Sequence, residues 1–162
     1  LGSTGFNLHM YQVTLADDVT CVTLQAELWS HQGMEQSWHL MEHNTGARGF
    51  DSRRQLLVLN ITPHSENWSE KERRWTEMYF DCGVSFAGSS VSGRLIDNIT
   101  HPYISGGAGW GRRDEPQTVN REDGAILLTV SIGGPGSAIY TPGGLPPEHE
   151  DALYLVVRMY CK

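Results

Sequence analysis

Basic residues are scarce in this sequence: 12 lysines and arginines stand against 19 aspartates and glutamates, and the net charge is −7. Proteins that bind nucleic acid use a basic surplus to displace counterions from phosphates, and this composition argues against a nucleic-acid partner. Long apolar runs are also missing, because no stretch approaches the roughly 18 apolar residues of a membrane-spanning helix. Any membrane attachment is therefore expected to use a segment absent from this chain.

Cysteine is also scarce, and the chain additionally contains acceptor sequences for N-linked glycans. The chain has 3 cysteines, which in a secreted protein predict one disulfide and one leftover thiol. Three acceptor sequences for N-linked glycans fall within about forty residues, at Asn60, Asn67 and Asn98. Pro63, directly after Thr62, makes the first a poorer acceptor than the others. Together these features predict a secreted protein or an ectodomain.

Alternation of apolar and polar residues is the dominant pattern, and it is typical of strands with one buried face. The strongest examples are residues 76–86, 125–132 and 153–159, and weaker ones are residues 10–15, 19–29, 37–42 and 55–62. The glycine- and proline-rich segments 105–116 and 133–151 are predicted to be loops. We expect an antiparallel all-β protein, most simply a two-sheet sandwich.

One short helix is compatible with the pattern of residues 64–77, "HSENWSEKERRWTE". Ser65 or Asn67 can cap its start, and Trp68 and Trp75 are spaced seven residues apart. Glu70 also precedes Arg74 at the spacing that supports a helix.

His39 and His43 belong to the only stretch that resembles a metal site, because "HLMEH" matches the H-x-x-E-H pattern of some zinc peptidases. That chemistry needs a helix, which places residues four apart on one face. The context here is a strand, on which the two histidines share a face but lie about 13 Å apart. We therefore predict no metal.

Other catalytic signatures are missing. The sequence has no G-x-S-x-G motif, and the glycine-rich run at 106–111 lacks the Lys-Ser/Thr of a phosphate-binding loop. We predict no catalytic residue, no cofactor and no enzyme.

Four segments resemble parts of an immunoglobulin V-type domain, over about half of the chain. They are Cys21 in "DVTCVTL", Trp38 in "SWHL", the stretch "NREDGAILLTVSI", and the acidic turn with its following strand in "EHEDALYLV". The resemblance implies a single V-like β-sandwich with a large insertion at about residues 43–120. Val156 stands where the second core cysteine belongs, so the usual inter-sheet disulfide cannot form.

The resemblance leaves the position of a disulfide open. Cys82 can pair with Cys161 and tie the insertion to the last strand, which in the loop-entropy model stabilises the fold by roughly 4–5 kcal/mol. Cys21 with Cys82 is the competing pair. We take Cys82–Cys161 as the expectation.

A lost core disulfide, an enlarged glycosylated middle and several tryptophans are together similar to the herpesviral immune-evasion glycoproteins. In particular, the pattern is similar to the mouse cytomegalovirus ectodomains that engage MHC class I molecules. This likeness implies a type I membrane glycoprotein of the secretory pathway and cell surface, with a stalk and membrane span beyond Lys162. It also implies host MHC class I as the partner, and altered display to T cells and natural killer cells.

Two other classes of protein fit the same sequence. A secreted decoy that sequesters cytokines or chemokines would use the acidic charge to attract basic partners, and a host cell-surface receptor can share the fold. For any of them, the loop from His101 to Asp114 is the expected contact site, because Trp and Arg anchor protein interfaces. The residues concerned are Trp110, Arg112 and Arg113.

Overall fold

Strands make up the whole regular structure of this computed structural model, which describes residues 8–46, 53–112, 116–133 and 145–162. Their bounds are β1 Leu8–Thr14, β2 Cys21–Ser30, β3 Gly33–Asn44, β4 Arg54–Ser69, β5 Arg74–Phe86, β6 Ser89–Thr100, β7 Ile104–Arg112, β8 Ala125–Gly133 and β9 Leu153–Cys161. No helix occurs among the described residues. That part of the chain accordingly offers no helix long and apolar enough to cross a membrane.

The strands form two antiparallel sheets that pack as a sandwich. The four-stranded sheet has the order β1-β4-β5-β6, and the five-stranded sheet has the order β3-β2-β9-β8-β7. Alternate residues of both sheets fill the space between them, including Leu24, Leu28, Leu57, Leu59, Phe80, Phe86, Val130 and Leu155. Each large apolar side chain buried in this way contributes about 1.5–3 kcal/mol to folding. The predicted all-β sandwich is confirmed.

The predicted strands are all present, but two further strands were not predicted. β6 carries few buried side chains along its length, so its alternation is weak. β7 occupies most of the segment that was expected to be a glycine-rich loop, and this expectation is wrong. β7 pairs with β8 through backbone groups, as between Trp110 and Val130. This pairing does not depend on the side-chain pattern, so a glycine-rich strand gives no alternation signal in the sequence.

The expected helix at residues 64–77 is also wrong. This segment is the tip of the β4–β5 hairpin, in which Trp68 lies directly opposite Trp75. The four residues 70–73 form the turn, and Arg73 adopts a positive φ of 54°. The spacing of seven between the tryptophans, which suggested two helical turns, instead reflects cross-strand pairing.

The sandwich is consistent with the expected immunoglobulin-like fold, but one strand pairing differs from that of a V domain. In a V domain, the strands joined by the core disulfide lie in opposite sheets. The comparison assigned those positions to β2 and β9, which carry Cys21 and Val156. Here β2 and β9 are hydrogen-bonded neighbours in one sheet, with Val156 opposite Glu27. Within residues 43–120, the region expected to be an insertion, β4, β5 and β6 supply three of the four strands of the other sheet.

All three cysteines are free thiols, so the expected Cys82–Cys161 disulfide is not formed, and neither is the competing Cys21–Cys82 bond. Cys82 lies within β5 of the four-stranded sheet, with its Sγ 3.8 Å from the carbonyl oxygen of Phe80. Cys161 ends β9 in the five-stranded sheet. The two cysteines lie in different sheets, and no bond joins them.

Cys82 is expected to be the least reactive of these thiols. Burial, with a smaller contribution from the charge of Asp81, raises its pKa to about 12. Since thiolate is the reactive form, only about one molecule in ten thousand carries it at pH 8. Burial also raises the pKa of Cys21, but this side chain is only half-buried and should be alkylated first.

Timed alkylation with iodoacetamide at pH 8, followed by peptide mass spectrometry, checks this order. A non-reducing peptide map should show no Cys82–Cys161 linkage. Modification of Cys82 before Cys21, or a disulfide-linked peptide, would contradict the structure.

Candidate functional site

Four connections meet at one end of the sandwich, which we call the cleft end. They are the β2–β3 turn, the tip of the β4–β5 hairpin, the β6–β7 turn and the segment before β9. The registers fix this arrangement: Ser30 pairs with Leu153, Glu77 with Thr100, and Ile104 with Gly133. Gly133 allows the close approach, because a Cβ there would collide with the backbone oxygen of Tyr103.

A cleft of about 360 Å³ opens at this end. The β2–β3 hairpin contributes Ser30, His31, Gln32 and Glu35, the β6–β7 turn contributes His101, Pro102 and Tyr103, and the last segment contributes Glu150. These residues come from three separate parts of the sequence. Polar groups dominate the lining, and the exposed ring of Tyr103 adds an aromatic surface.

Hydrogen bonds fix the chemistry of the two histidines in this cleft. The Nδ1 atom of His31 lies 3.0 Å from the carbonyl oxygen of Pro147, and since a carbonyl only accepts, Nδ1 donates. The backbone N–H of Tyr103 donates to Nδ1 of His101 at 3.3 Å, so the ring proton of neutral His101 is on Nε2. That atom lies 3.9 Å from Oε1 of Glu35.

The carboxylate of Glu35 is held in place within the cleft by a hydrogen bond. Its Oε1 accepts a 2.6 Å hydrogen bond from the hydroxyl of Ser30, which is buried. Ser30 in turn accepts a hydrogen bond from the backbone N–H of Gln32. A nucleophilic serine needs an accessible hydroxyl beside a base such as histidine or lysine. The hydroxyl of Ser30 is instead buried and donates to the carboxylate of Glu35. The arrangement does not activate Ser30, and no group of metal-ligating side chains occurs among the described residues.

Two exposed tryptophans lie at the tip of the β4–β5 hairpin. Trp68 and Trp75 are 46% and 37% exposed, and their ring centroids are 5.3 Å apart in an edge-to-face arrangement. Asn67 adopts a positive φ of 57°, and its carbonyl oxygen accepts a hydrogen bond from the hydroxyl of Thr76. The hairpin thereby presents two large aromatic rings to solvent.

The outer face of the four-stranded sheet carries an ordered cation. The guanidinium of Arg94 lies 3.6 Å from the ring centre of Tyr79 and donates two 3.0 Å hydrogen bonds to Glu66. Asp97 accepts a further bond of 2.7 Å. The hydrogen bond from Arg94, followed by that from the backbone N–H of Asn98, lowers the pKa of Asp97. This cluster shows how the protein itself holds a guanidinium.

A buried polar cluster occupies the outer face of the five-stranded sheet. Glu27 is almost fully buried, and its carboxylate accepts four side-chain hydrogen bonds, from Gln25, Trp29, Arg158 and Tyr160. Burial, and then the bond to Glu27, raises the pKa of Tyr160. Both carboxylate oxygens are occupied within the protein, so this cluster stabilises the sheet rather than awaiting a ligand.

The three predicted glycan acceptors all lie on the four-stranded sheet. Asn60 and Asn67 belong to β4, Asn98 belongs to β6, and all three are exposed. Asn98 has a φ of 55° beside a bulge, whereas Asn60 lies between two neighbouring strands, opposite Leu8 and Gly83. Their exposure is compatible with glycosylation, which stays a prediction.

We expect Asn67 and Asn98 to be occupied more fully than Asn60 when the chain is secreted from mammalian cells. Pro63 weakens the acceptor at Asn60, and the other two sites lie at irregular, accessible points of their strands. Peptide mapping after enzymatic deglycosylation in heavy-oxygen water measures each occupancy. A secreted chain without glycan at Asn67 and Asn98 would contradict this prediction.

The structure does not gather the predicted contact residues into a loop. Trp110 and Arg112 belong to the edge strand β7, opposite Val130 and Leu128, and Arg113 lies outside the described residues. His39 and His43 do not share a face either, contrary to expectation. His39 pairs with Gln25, and Met41 pairs with the preceding residue, Leu24. β3 therefore has one extra residue between these pairs, which shifts its inward–outward alternation. As a result, His39 is exposed while His43 is buried.

Sequence reasoning did not find the cleft. Glu35, His101 and Tyr103 belong to no local motif, and Glu150 was explained as part of an acidic turn. The hairpin signal at residues 30–35 and the turn at 101–103 are the available clues, but neither indicates that the two meet. No protein-family model, curated protein or solved structure matches this chain.

Proposed function

We propose that this chain is the glycosylated ectodomain of an immune-evasion protein, and that it binds a host MHC class I molecule through the cleft end without catalysing a reaction. The observation that carries the binding role is the position of its exposed apolar side chains. Of the seven large ones exposed among the described residues, four lie at the cleft end: Met34, Trp68, Trp75 and Tyr103. Protein interfaces are enriched in these residue types.

The arrangement of the glycan acceptors supports an extracellular role. The exposed acceptors lie on one sheet and leave the five-stranded sheet and the β2–β3 and β6–β7 turns free of them, although Asn67 is next to Trp68 at the hairpin tip. The free thiols of Cys82 and Cys161 are compatible with this setting, because both are buried and burial keeps a thiol protonated and slow to oxidise. MHC class I as partner comes from the resemblance of the sequence to the viral family.

A chemokine-sequestering decoy is the second candidate, and the charge favours it. The chain carries a net charge of −7, and the cleft contains two carboxylates. Such a surface attracts the basic proteins of that class by electrostatic steering.

Surface plasmon resonance with the glycosylated domain separates the candidates. Purified MHC class I molecules of several allotypes and a chemokine panel serve as analytes. Saturable binding to class I supports the proposal, whereas chemokine binding without a class I signal replaces it with the decoy. The absence of binding to both class I and the chemokines would overturn both candidates.

A further inference from the structure

The described residues of the cleft offer hydrogen-bond acceptors for a cation, but they include no lysine or arginine that could fill that role. Glu35 and Glu150 contribute carboxylates, and none of the lining residues is lysine or arginine. Because the Nδ1 atom of His31 donates to Pro147, its Nε2 atom is an acceptor in the neutral ring. Three acceptors therefore border one cavity.

One of these acceptors is held in place before any ligand arrives. The hydroxyl of Ser30 donates to Oε1 of Glu35 at 2.6 Å, and Nε2 of His101 lies 3.9 Å from the same oxygen. An ionised carboxylate accepts about four hydrogen bonds, so Glu35 keeps capacity for a ligand. Such preorganisation lowers the entropy cost of binding.

The Arg94 cluster indicates which cation fits. There, an aromatic face and two carboxylates hold a guanidinium, with Tyr79 below it and Glu66 and Asp97 at its edge. The cleft repeats these elements with Tyr103, Glu35 and Glu150. A guanidinium suits the set because it is planar, stacks on aromatic rings and has five donors but no acceptor.

We propose that the cleft binds the guanidinium of an arginine side chain presented by the protein partner. Glu35 and Glu150 pair with its charge, the ring of Tyr103 lies against its face, and Nε2 of His31 accepts one N–H. This inference rests on the proposed function only in naming a protein as the source of the arginine. The cation site itself is a property of the isolated domain.

Titration of the ¹⁵N-labelled domain with methylguanidinium chloride, followed by NMR, tests the site without a partner. We expect saturable shifts of the backbone amides of residues 30–35, 101–103 and 150. Sodium chloride controls for ionic strength, and urea controls for a planar donor without charge. Shifts that do not saturate, or that urea reproduces, would overturn the proposal.

A matched pair of double variants tests the carboxylates. Glu35→Gln/Glu150→Gln should weaken methylguanidinium binding about tenfold. Asp17→Asn/Glu122→Gln removes the same charge from exposed residues away from the cleft end, and should change affinity less than about twofold. Amide spectra confirm that all variants are folded. Equal effects of the two pairs would show a general charge effect and overturn the site.

Two further ligands identify the chemistry and its source. n-Butylammonium should bind more weakly than methylguanidinium, and equal affinity would overturn the assignment to arginine. N-acetyl-arginine N-methylamide should bind more tightly than free arginine, whose α-carboxylate is repelled by Glu35 and Glu150. The opposite order would make a free amino acid, rather than a protein, the ligand. If these titrations fail, the proposal of MHC class I binding still stands. If the domain does not bind MHC class I, the cation site still stands.

Discussion

Replacing Glu27 with alanine is expected to lower the free energy of unfolding by about 3–5 kcal/mol. The carboxylate accepts hydrogen bonds from Arg158 at 3.0 Å and from Tyr160 at 2.8 Å, and Trp29 and Gln25 each donate one more. Its removal leaves the largely buried guanidinium of Arg158 without a carboxylate partner. The backbone carbonyl oxygen of Asp123 still accepts one hydrogen bond, and the ring of Tyr160 lies 6.0 Å away. An uncompensated buried charge is among the most costly changes in a folded protein.

Urea unfolding monitored by tryptophan fluorescence measures this loss. Glu72→Ala is the matched control, because it removes a half-exposed carboxylate that pairs with Arg74 at the surface, and surface ion pairs contribute less than about 1 kcal/mol. Since small domains have a total stability of about 5–15 kcal/mol, the difference should be obvious. A Glu27→Ala midpoint equal to that of Glu72→Ala would show that the buried cluster does not stabilise the sheet.

Replacing Trp68 and Trp75 together with alanine is expected to weaken MHC class I binding by about 100-fold or more. An interface tryptophan that acts as a hot spot contributes at least about 2 kcal/mol, which is roughly 30-fold in affinity. The two rings contact each other, so their contributions are not expected to add fully. Both rings are partly exposed at a hairpin tip, and the fold should survive their loss.

Met10→Ala/Leu56→Ala is the matched control for this variant. Both residues are also exposed, at 52% and 53%, but they lie on neighbouring strands β1 and β4, away from the hairpin tip. Asn67→Gln is included in every protein compared, so that a glycan beside Trp68 does not confuse the result. Loss of binding only in the control variant would move the interface to the β1–β4 face.

The extent to which the fold could be predicted depended on whether a signal was local. Period-two alternation indicated β5, β8 and β9, because burial of one face of a strand leaves its mark on neighbouring positions. The choice of which strands pair with each other leaves no comparable pattern in the sequence. Nothing in the residues of β2 shows that it pairs with both β3 and β9, so the V-type comparison placed β2 and β9 in different sheets.

Local signals also misled at two points. Residues 64–77 contain charges and tryptophans at helical spacing, yet the same spacing brings Trp68 opposite Trp75 across a four-residue turn. The glycines of β7 suggested a loop, whereas pairing with β8 needs only backbone groups. In both cases, contacts between distant residues outweighed the local preference.

The candidate site could be predicted only in part. The acceptor sequences at Asn60, Asn67 and Asn98 are local patterns, and the structure shows these side chains exposed. The cleft unites Glu35, His101 and Glu150 from three hairpins or connections, and only the assembled sheets reveal it. The sequence drew attention to Trp110 because of its neighbours, while the exposed tryptophans of the hairpin tip were taken for one face of a helix.

Hydrogen–deuterium exchange of the domain, free and in complex with MHC class I, tests most directly whether the cleft end is the binding surface. The account predicts slower exchange on binding in residues 30–36, 66–77 and 100–104. The turns at the opposite end, at residues 15–20 and 87–88, should exchange at unchanged rates. Protection confined to those turns or to the β1–β4 face, or no class I complex at all, would contradict it.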